Sequence, residues 1–156
     1  MAAFSSAIVV AAVGLIGVVQ PAAAQTGRGF IYGGVIAPLD TGERPSEALT
    51  FGGGLEALTR SGAGASLEAG LFVFDFRGFS LPLLSANAIY EKPTRESRVS
   101  PFISGGLTLG GQLINFGGGA NIWTHERAGF RIEVRDYVQP ANAEQMIAFR
   151  VGATFR

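Results

Sequence analysis

The stretch "GFRIEVRDYV", residues Gly129 to Val138, alternates two kinds of side chain. Even positions are apolar at Phe130, Ile132, Val134 and Val138, and odd positions carry Arg131, Glu133, Arg135 and Tyr137. Successive side chains of a β-strand point to opposite faces, so this pattern predicts a strand with one apolar and one charged face. Whether the apolar face meets protein or lipid decides the fold.

The composition favours strands and argues against several classes of function. The chain has 156 residues, about one domain, and its 23 glycines would each weaken a helix interior by about 1 kcal/mol. Its 12 cationic and 12 acidic side chains balance, so no basic field invites nucleic acid. Because cysteine is absent, a thiol nucleophile and a thiolate zinc site are excluded.

The first 24 residues differ from the rest of the chain. They contain no charged side chain, run apolar from Ala7 to Val19, and end on three alanines. This pattern is typical of a secretory signal with an A-x-A cleavage site before Gln25, and the apolar run is too short to span a membrane. The alternative is a retained amphipathic or buried N-terminal segment. We predict a signal peptide over 1–24 and one exported domain over 25–156.

Period-two alternation recurs along that domain. It predicts eight strands, near residues 28–37, 48–58, 64–74, 81–91, 98–109, 113–123, 129–138 and 146–156. The connections are short and rich in turn-forming residues, so consecutive strands should pair antiparallel as an up-and-down meander. Nothing in the sequence indicates a second domain or a linker.

The charged faces favour a transmembrane barrel. Such a barrel presents an apolar belt to lipid and polar groups to its lumen, and strands of about 9 to 11 residues suffice to cross at a tilt. We predict that six residues point inward and neutralise one another: Glu56, Glu68, Glu133, Arg131, Arg135 and Arg150. Glu68 and Glu133 are the candidate partners of Arg131. The alternative is that these charges form the solvated outer face of a soluble barrel.

Three stretches carry a resemblance to a known family. "PFISGGLTLG" (101–110), "NFGGGANIW" (115–123) and "GFRIEVRDYV", with a last strand ending in "FR", resemble the later strands of small Gram-negative outer-membrane β-barrel proteins, the OmpA-like and opacity-type barrel domains. The resemblance implies an eight-stranded barrel with periplasmic termini, surrounded by outer-membrane lipids and inserted by the outer-membrane assembly machinery. It also implies an assembly signal at Phe155, although the family usually ends on an aromatic residue and here Arg156 follows.

No catalytic or metal-binding constellation is visible. His125 is the only histidine and falls in the predicted turn "THER", on the periplasmic side if the resemblance holds. Neither a GxSxG elbow nor a phosphate loop occurs, and one histidine with scattered acids does not supply a metal site. Trp123, Tyr90 and Tyr137 lie near strand ends, where an interfacial aromatic belt or ordinary packing would explain them. We therefore predict a protein that is not an enzyme and carries no cofactor.

Two hypotheses of function follow. The first is an outer-membrane barrel with a structural or surface-interaction role, whose lumen is plugged by the Glu/Arg network. The second is a soluble periplasmic or secreted barrel of lipocalin type, whose apolar faces line a cavity for a small apolar ligand. Extraction behaviour separates them.

Overall fold

The computed structural model describes residues 26–39, 48–75, 79–93, 97–141 and 143–156. Its regular structure consists of eight strands: β1 (Thr26–Pro38), β2 (Ala48–Leu58), β3 (Ala63–Asp75), β4 (Phe79–Glu91), β5 (Val99–Leu109), β6 (Leu113–Trp123), β7 (Ala128–Gln139) and β8 (Glu144–Phe155). Within these ranges no helix is long and apolar enough to cross a membrane. The predicted signal peptide over 1–24 lies outside the described residues.

The strands form one closed barrel. Each strand pairs antiparallel with its neighbour in sequence, and β1 closes the sheet against β8. The prediction of an all-β, eight-stranded antiparallel up-and-down barrel is confirmed, and every predicted strand boundary agrees with the structure to within two residues.

The two ends of the barrel differ in what they hold. Thr26 and Arg156 lie at one end with the β2–β3, β4–β5 and β6–β7 connections, and we call this the termini end. The other four connections lie at the opposite end, which we call the far end. In the tight β2–β3 turn, Gly62 has a φ of 89°, a left-handed conformation that favours glycine. Its carbonyl accepts a hydrogen bond of 2.9 Å from the Glu91 amide, which fastens this turn to β4.

The two faces of the sheet are reversed relative to those of a soluble barrel, in which the apolar face points inward. Apolar side chains face outward, and Leu55, Ile103 and Val151 are 70%, 65% and 63% exposed. Charged and amide side chains between them face inward, where the alternation of each strand places them. The barrel therefore has an apolar exterior and a largely polar interior.

Apolar side chains form two clusters inside the barrel. The far-end cluster consists of Ile36, Ala48, Phe72, Leu83, Leu113, Tyr137 and Ala148, with Phe74, Leu81 and Met146 packed against it. Within it, the Phe72 and Tyr137 rings meet edge to face with centroids 5.1 Å apart. A smaller cluster of Leu58, Ile89 and Phe102 lies toward the termini end. The charged side chains occupy the length of barrel between the two clusters.

Candidate functional site in the barrel interior

The six charged residues expected to point inward all lie inside the barrel. Their exposure does not exceed 4% for any member of the set, which we call the lumen network: Glu56, Glu68, Glu133, Arg131, Arg135 and Arg150. They come from β2, β3, β7 and β8, so the network links opposite walls of the barrel. The alternative in which these charges form a solvated outer face is wrong.

Two carboxylates at mid-height are shared among the arginines. Glu133 accepts hydrogen bonds from Arg131 Nε at 3.2 Å and from Arg135 Nε at 2.8 Å, and Arg150 Nη1 lies 3.7 Å away. Glu68 accepts a hydrogen bond of 2.8 Å from Arg150 Nη2, and Arg135 Nη1 lies 2.7 Å from its other oxygen. Each of these carboxylates therefore keeps a cationic partner if one arginine is lost.

Glu56 is placed differently. Its carboxylate accepts a hydrogen bond from Arg131 Nη1, and among the described residues Arg131 is its one ion-pair partner. Of the two candidate partners of Arg131, Glu133 does pair with it, whereas Glu68 does not and meets Arg135 and Arg150 instead. The alternation specifies the face of a strand but not the height, and Glu56 and Arg131 both lie three residues or fewer from the termini end of their strands.

Aromatic rings contact two of the arginines in the lumen network. The guanidinium carbon of Arg131 lies 4.0 Å from the centroid of Phe102 and 4.4 Å from that of Phe30. The Arg150 guanidinium lies 3.4 Å from the centroid of Tyr32. A cation over an aromatic face is stabilised by the ring quadrupole, most strongly where water is excluded. Arg131 and Arg150 thus have both ionic partners and aromatic rings around their guanidinium groups.

Glycine makes room for this network. Five of the six members lie directly across from a glycine on a neighbouring strand, in the pairs Gly54–Glu68, Gly119–Glu133, Gly117–Arg135, Gly152–Arg131 and Gly34–Arg150. A Cβ at Gly119 would collide with the Ile132 carbonyl and come within 2.9 Å of the Glu133 Cα. The composition predicted that the glycines lie in strands and turns. Inside the barrel they also leave space for long charged side chains.

A second buried ion pair lies nearer the termini end, and its two residues were not predicted from the sequence to face the lumen. Arg28 pairs with Glu91, which also accepts a hydrogen bond of 2.8 Å from Asn121 Nδ2. Arg28 stands between glycines, and Glu91 borders a charged connection, so neither resembled a lumen residue. The alternation along β1 could have identified Arg28. It lies two residues from Phe30 and therefore on the same face of the strand, which is buried in the structure.

Two of the three aromatic residues near strand ends do not belong to an outer belt. Trp123 and Tyr137 are buried inside the barrel, and Tyr90 is 47% exposed on the outer face. Trp123 lies between two cations, with the guanidinium carbon of Arg28 at 5.1 Å and that of Arg156 at 3.7 Å from its ring centroids. The indole therefore lies inside the barrel at the termini end, in contact with both guanidinium groups.

The last two residues keep the alternation. Phe155 is 44% exposed on the outer face, and Arg156 turns its side chain over the inward-facing Trp123. The Arg156 amide donates to the Arg127 carbonyl at 3.0 Å, which holds the end of the chain against the β6–β7 turn. Partial burial, together with the nearby Arg28 charge, lowers the pKa of the Arg156 guanidinium from its usual value.

The structure provides no other chemical centre in its described part. No group of three or more His, Asp or Glu side chains within these ranges could hold a metal ion. His125 is exposed in the β6–β7 turn at the termini end, away from the lumen network.

Comparisons with known proteins identify the fold. No protein-family model and no curated protein matches the sequence. Nine chains of solved structures match, among them the three that follow. Neisserial surface protein A matches with a TM-score of 0.68 at 13% identity, over 85% of this chain and 98% of that one. The N-terminal β-barrel domain of Pseudomonas aeruginosa OprF matches with a TM-score of 0.59 at 18% identity, over 83% and 100% of the two chains.

The third is a de novo designed transmembrane β-barrel, with a TM-score of 0.57 at 14% identity over 82% of this chain and 93% of the other. Identities this low establish a likeness of fold and carry no activity with them. The resemblance inferred from the sequence is confirmed at that level, and the chain has the fold of small eight-stranded transmembrane β-barrels.

Proposed function

We propose that this protein is a non-enzymatic outer-membrane β-barrel with a structural or surface-interaction role and a lumen closed by its own side chains. The observation that carries the proposal is the inversion of the two faces. Apolar side chains surround the barrel, whereas the interior holds four acids and four arginines, namely Glu56, Glu68, Glu91, Glu133, Arg28, Arg131, Arg135 and Arg150.

A lipid environment explains the exterior. Exposed apolar patches on soluble monomers rarely exceed a few hundred Å². Here every strand contributes large apolar side chains to the outer face, from Ile31 on β1 to Phe149 on β8. In a bilayer the same face would meet hydrocarbon, and the closed sheet leaves no unpaired strand edge in lipid.

The interior supports a closed lumen. Eight strands enclose a space that side chains can fill, whereas aqueous channels occur in barrels of about 16 strands or more. The far-end cluster lies at one end, the lumen network in the middle, and Arg28, Glu91 and Trp123 toward the other end, which supports this expectation. An ion crossing the barrel would have to displace the rings of Phe72 and Tyr137, so we expect no steady conductance.

The lipocalin-like alternative is not supported by this arrangement. A barrel of that type needs an apolar cavity inside. The interior between the apolar clusters is instead lined by buried charged side chains, and an apolar groove of about 440 Å³ is lined by outward-facing side chains such as Val35, Ile132 and Phe149. It therefore lies on the outer face.

The same proposal covers export and assembly. We expect residues 1–24 to act as the signal peptide and Phe155 to be recognised by the outer-membrane assembly machinery. The exposed position of Phe155 at the end of β8 supports the second expectation, because Arg156 turns inward and leaves the aromatic side chain at the outer surface.

Cell fractionation tests the proposal. We expect a mature chain that begins near Gln25, sediments with outer membranes and resists extraction by high salt or alkali. A folded barrel should also migrate differently on gels before and after boiling. Recovery of the folded chain in the soluble periplasmic fraction would overturn the membrane assignment.

A further inference from the structure

Cations surround the termini end of the barrel. Arg60 lies in the β2–β3 turn, Lys92 and Arg98 flank the β4–β5 connection, Arg127 lies in the β6–β7 turn, and Arg156 ends the chain. All five are exposed, and we call them the basic rim. Because they come from every connection at this end, they are spread around the circumference rather than gathered at one point.

The charge of the molecule is separated along the barrel axis. At the termini end, Glu126 is the one exposed acid among the described residues. At the far end the described part of the chain holds Asp75, Asp136 and Glu144 and no cation. The chain as a whole is neutral and the buried charges balance, so the separation belongs to the two ends. Solubility alone would not require it.

Aromatic side chains on the outer face lie next to the basic rim. Tyr90, Phe130 and Phe155 are 47%, 61% and 44% exposed, and they stand within three residues of Lys92, Arg127 and Arg156 in turn. Aromatic residues on a membrane barrel concentrate where hydrocarbon gives way to headgroups. This neighbourhood places the basic rim at headgroup depth rather than in free solution.

We propose that the basic rim binds the anionic headgroups of phospholipids in the leaflet at the termini end. The proposal rests on the membrane insertion proposed above and adds to it a preferred lipid class. Each cation near an anionic lipid surface raises the affinity of the protein for that surface about fivefold, and salt screens this increase. The Arg156 guanidinium already contacts the Trp123 ring. We therefore expect most of the lipid affinity to come from Arg60, Lys92, Arg98 and Arg127.

Native mass spectrometry of the folded chain in detergent tests this. Phosphatidylglycerol and phosphatidylcholine with identical acyl chains are added in equal amounts, and the bound lipids are counted. We expect the chain to retain phosphatidylglycerol preferentially. The double variant Arg60→Gln/Arg127→Gln should lose roughly 25-fold of that preference, about fivefold for each cation removed, and higher salt should lower it in the parent chain.

A charge-relocation variant provides the matched control. Adding Gln112→Lys and Ala141→Lys to the double variant restores the net charge at exposed far-end positions. If the rim is the site, preference stays low; recovery would show that net charge alone controls binding and would overturn the proposal. Full displacement of phosphatidylglycerol by millimolar inorganic phosphate would also overturn it, because the rim would then bind phosphate without a membrane.

The same preparation separates failure of this inference from failure of the proposed function. A chain that folds in zwitterionic vesicles but binds both lipids equally would refute the basic rim and leave the membrane barrel standing. A chain that folds only in water, and never enters vesicles, would refute both.

Discussion

Replacing Arg131 with methionine should destabilise the barrel more than the same replacement at Arg150. The two arginines are comparable, since each is 2% exposed and each lies over at least one aromatic ring. They differ in what they leave behind. Without Arg131, Glu56 has no ion-pair partner among the described residues, whereas without Arg150 both Glu68 and Glu133 still contact Arg135.

The expected cost follows from that difference. Removing one partner of a buried ion pair and leaving the other charge uncompensated costs about 3 to 5 kcal/mol. We expect Arg131→Met to fall in that range and Arg150→Met to cost roughly half as much, because its carboxylates keep hydrogen bonds that offset their desolvation. Methionine retains much of the apolar bulk of the arginine stem, so the comparison isolates the lost charge.

Equilibrium unfolding in urea, with the barrel folded in lipid vesicles, measures both costs. Trp123 is the only tryptophan and is buried, so its fluorescence should report unfolding. Adding Glu56→Gln to Arg131→Met should recover about 1 to 3 kcal/mol, because the stranded carboxylate is removed. Equal costs at Arg131 and Arg150, or a double variant no more stable than Arg131→Met, would refute the assigned pairing.

Three further predictions test the faces, the lumen and the glycines. Ile132→Arg, on the outer face, should cost about 2 to 4 kcal/mol near the bilayer midplane, and inward-facing Thr154→Val should cost far less; equal folding yields in lipid would contradict this assignment of the faces. Planar-bilayer recordings should be silent or show rare small openings, and large, stable, salt-dependent steps would contradict the closed lumen. Gly70→Ala should destabilise by about 1 to 3 kcal/mol, because its Cβ would come within 2.6 Å of the Tyr32 hydroxyl. Gly105→Ala is the control, since its Cβ meets nothing closer than 3.5 Å, and an equal loss there would disprove the steric reason.

The strands and their faces could be predicted from the sequence because both depend on the order of neighbouring residues. Alternation is a property of consecutive residues, so "GFRIEVRDYV" predicts one apolar and one charged face without reference to the rest of the chain. The inversion of the sheet was also predicted, because strands of membrane-crossing length with charges on one face favour a barrel with an apolar exterior and a polar lumen. Arg131, Glu133 and Arg135 therefore lie where they were expected.

The pairing within the lumen depended on distances that the sequence does not contain. Glu56 and Arg131 are 75 residues apart and meet because β2 and β7 face each other across the closed barrel. Their heights are set by the stagger between neighbouring strands, which no periodic pattern reveals. Arg28 and Glu91 were missed for a different reason, since each lies where a regular strand merges into glycine-rich or charged sequence.

The charges of β7 and β8 also help to explain why the barrel adopts one register. In the native pairing Glu133 lies opposite Arg150. A slip of one residue between the strands would turn the charged face of β8 toward lipid, which burial alone forbids. A slip of two residues preserves the faces, but it would place Arg150 opposite Arg131 in one direction and opposite Arg135 in the other. Like charges directly opposite on paired strands are destabilising, and inside the lumen little water is present to screen them. Buried ion pairs often add little net stability, so we infer that the main contribution of this one is to exclude the two registers that hydrophobic burial would accept.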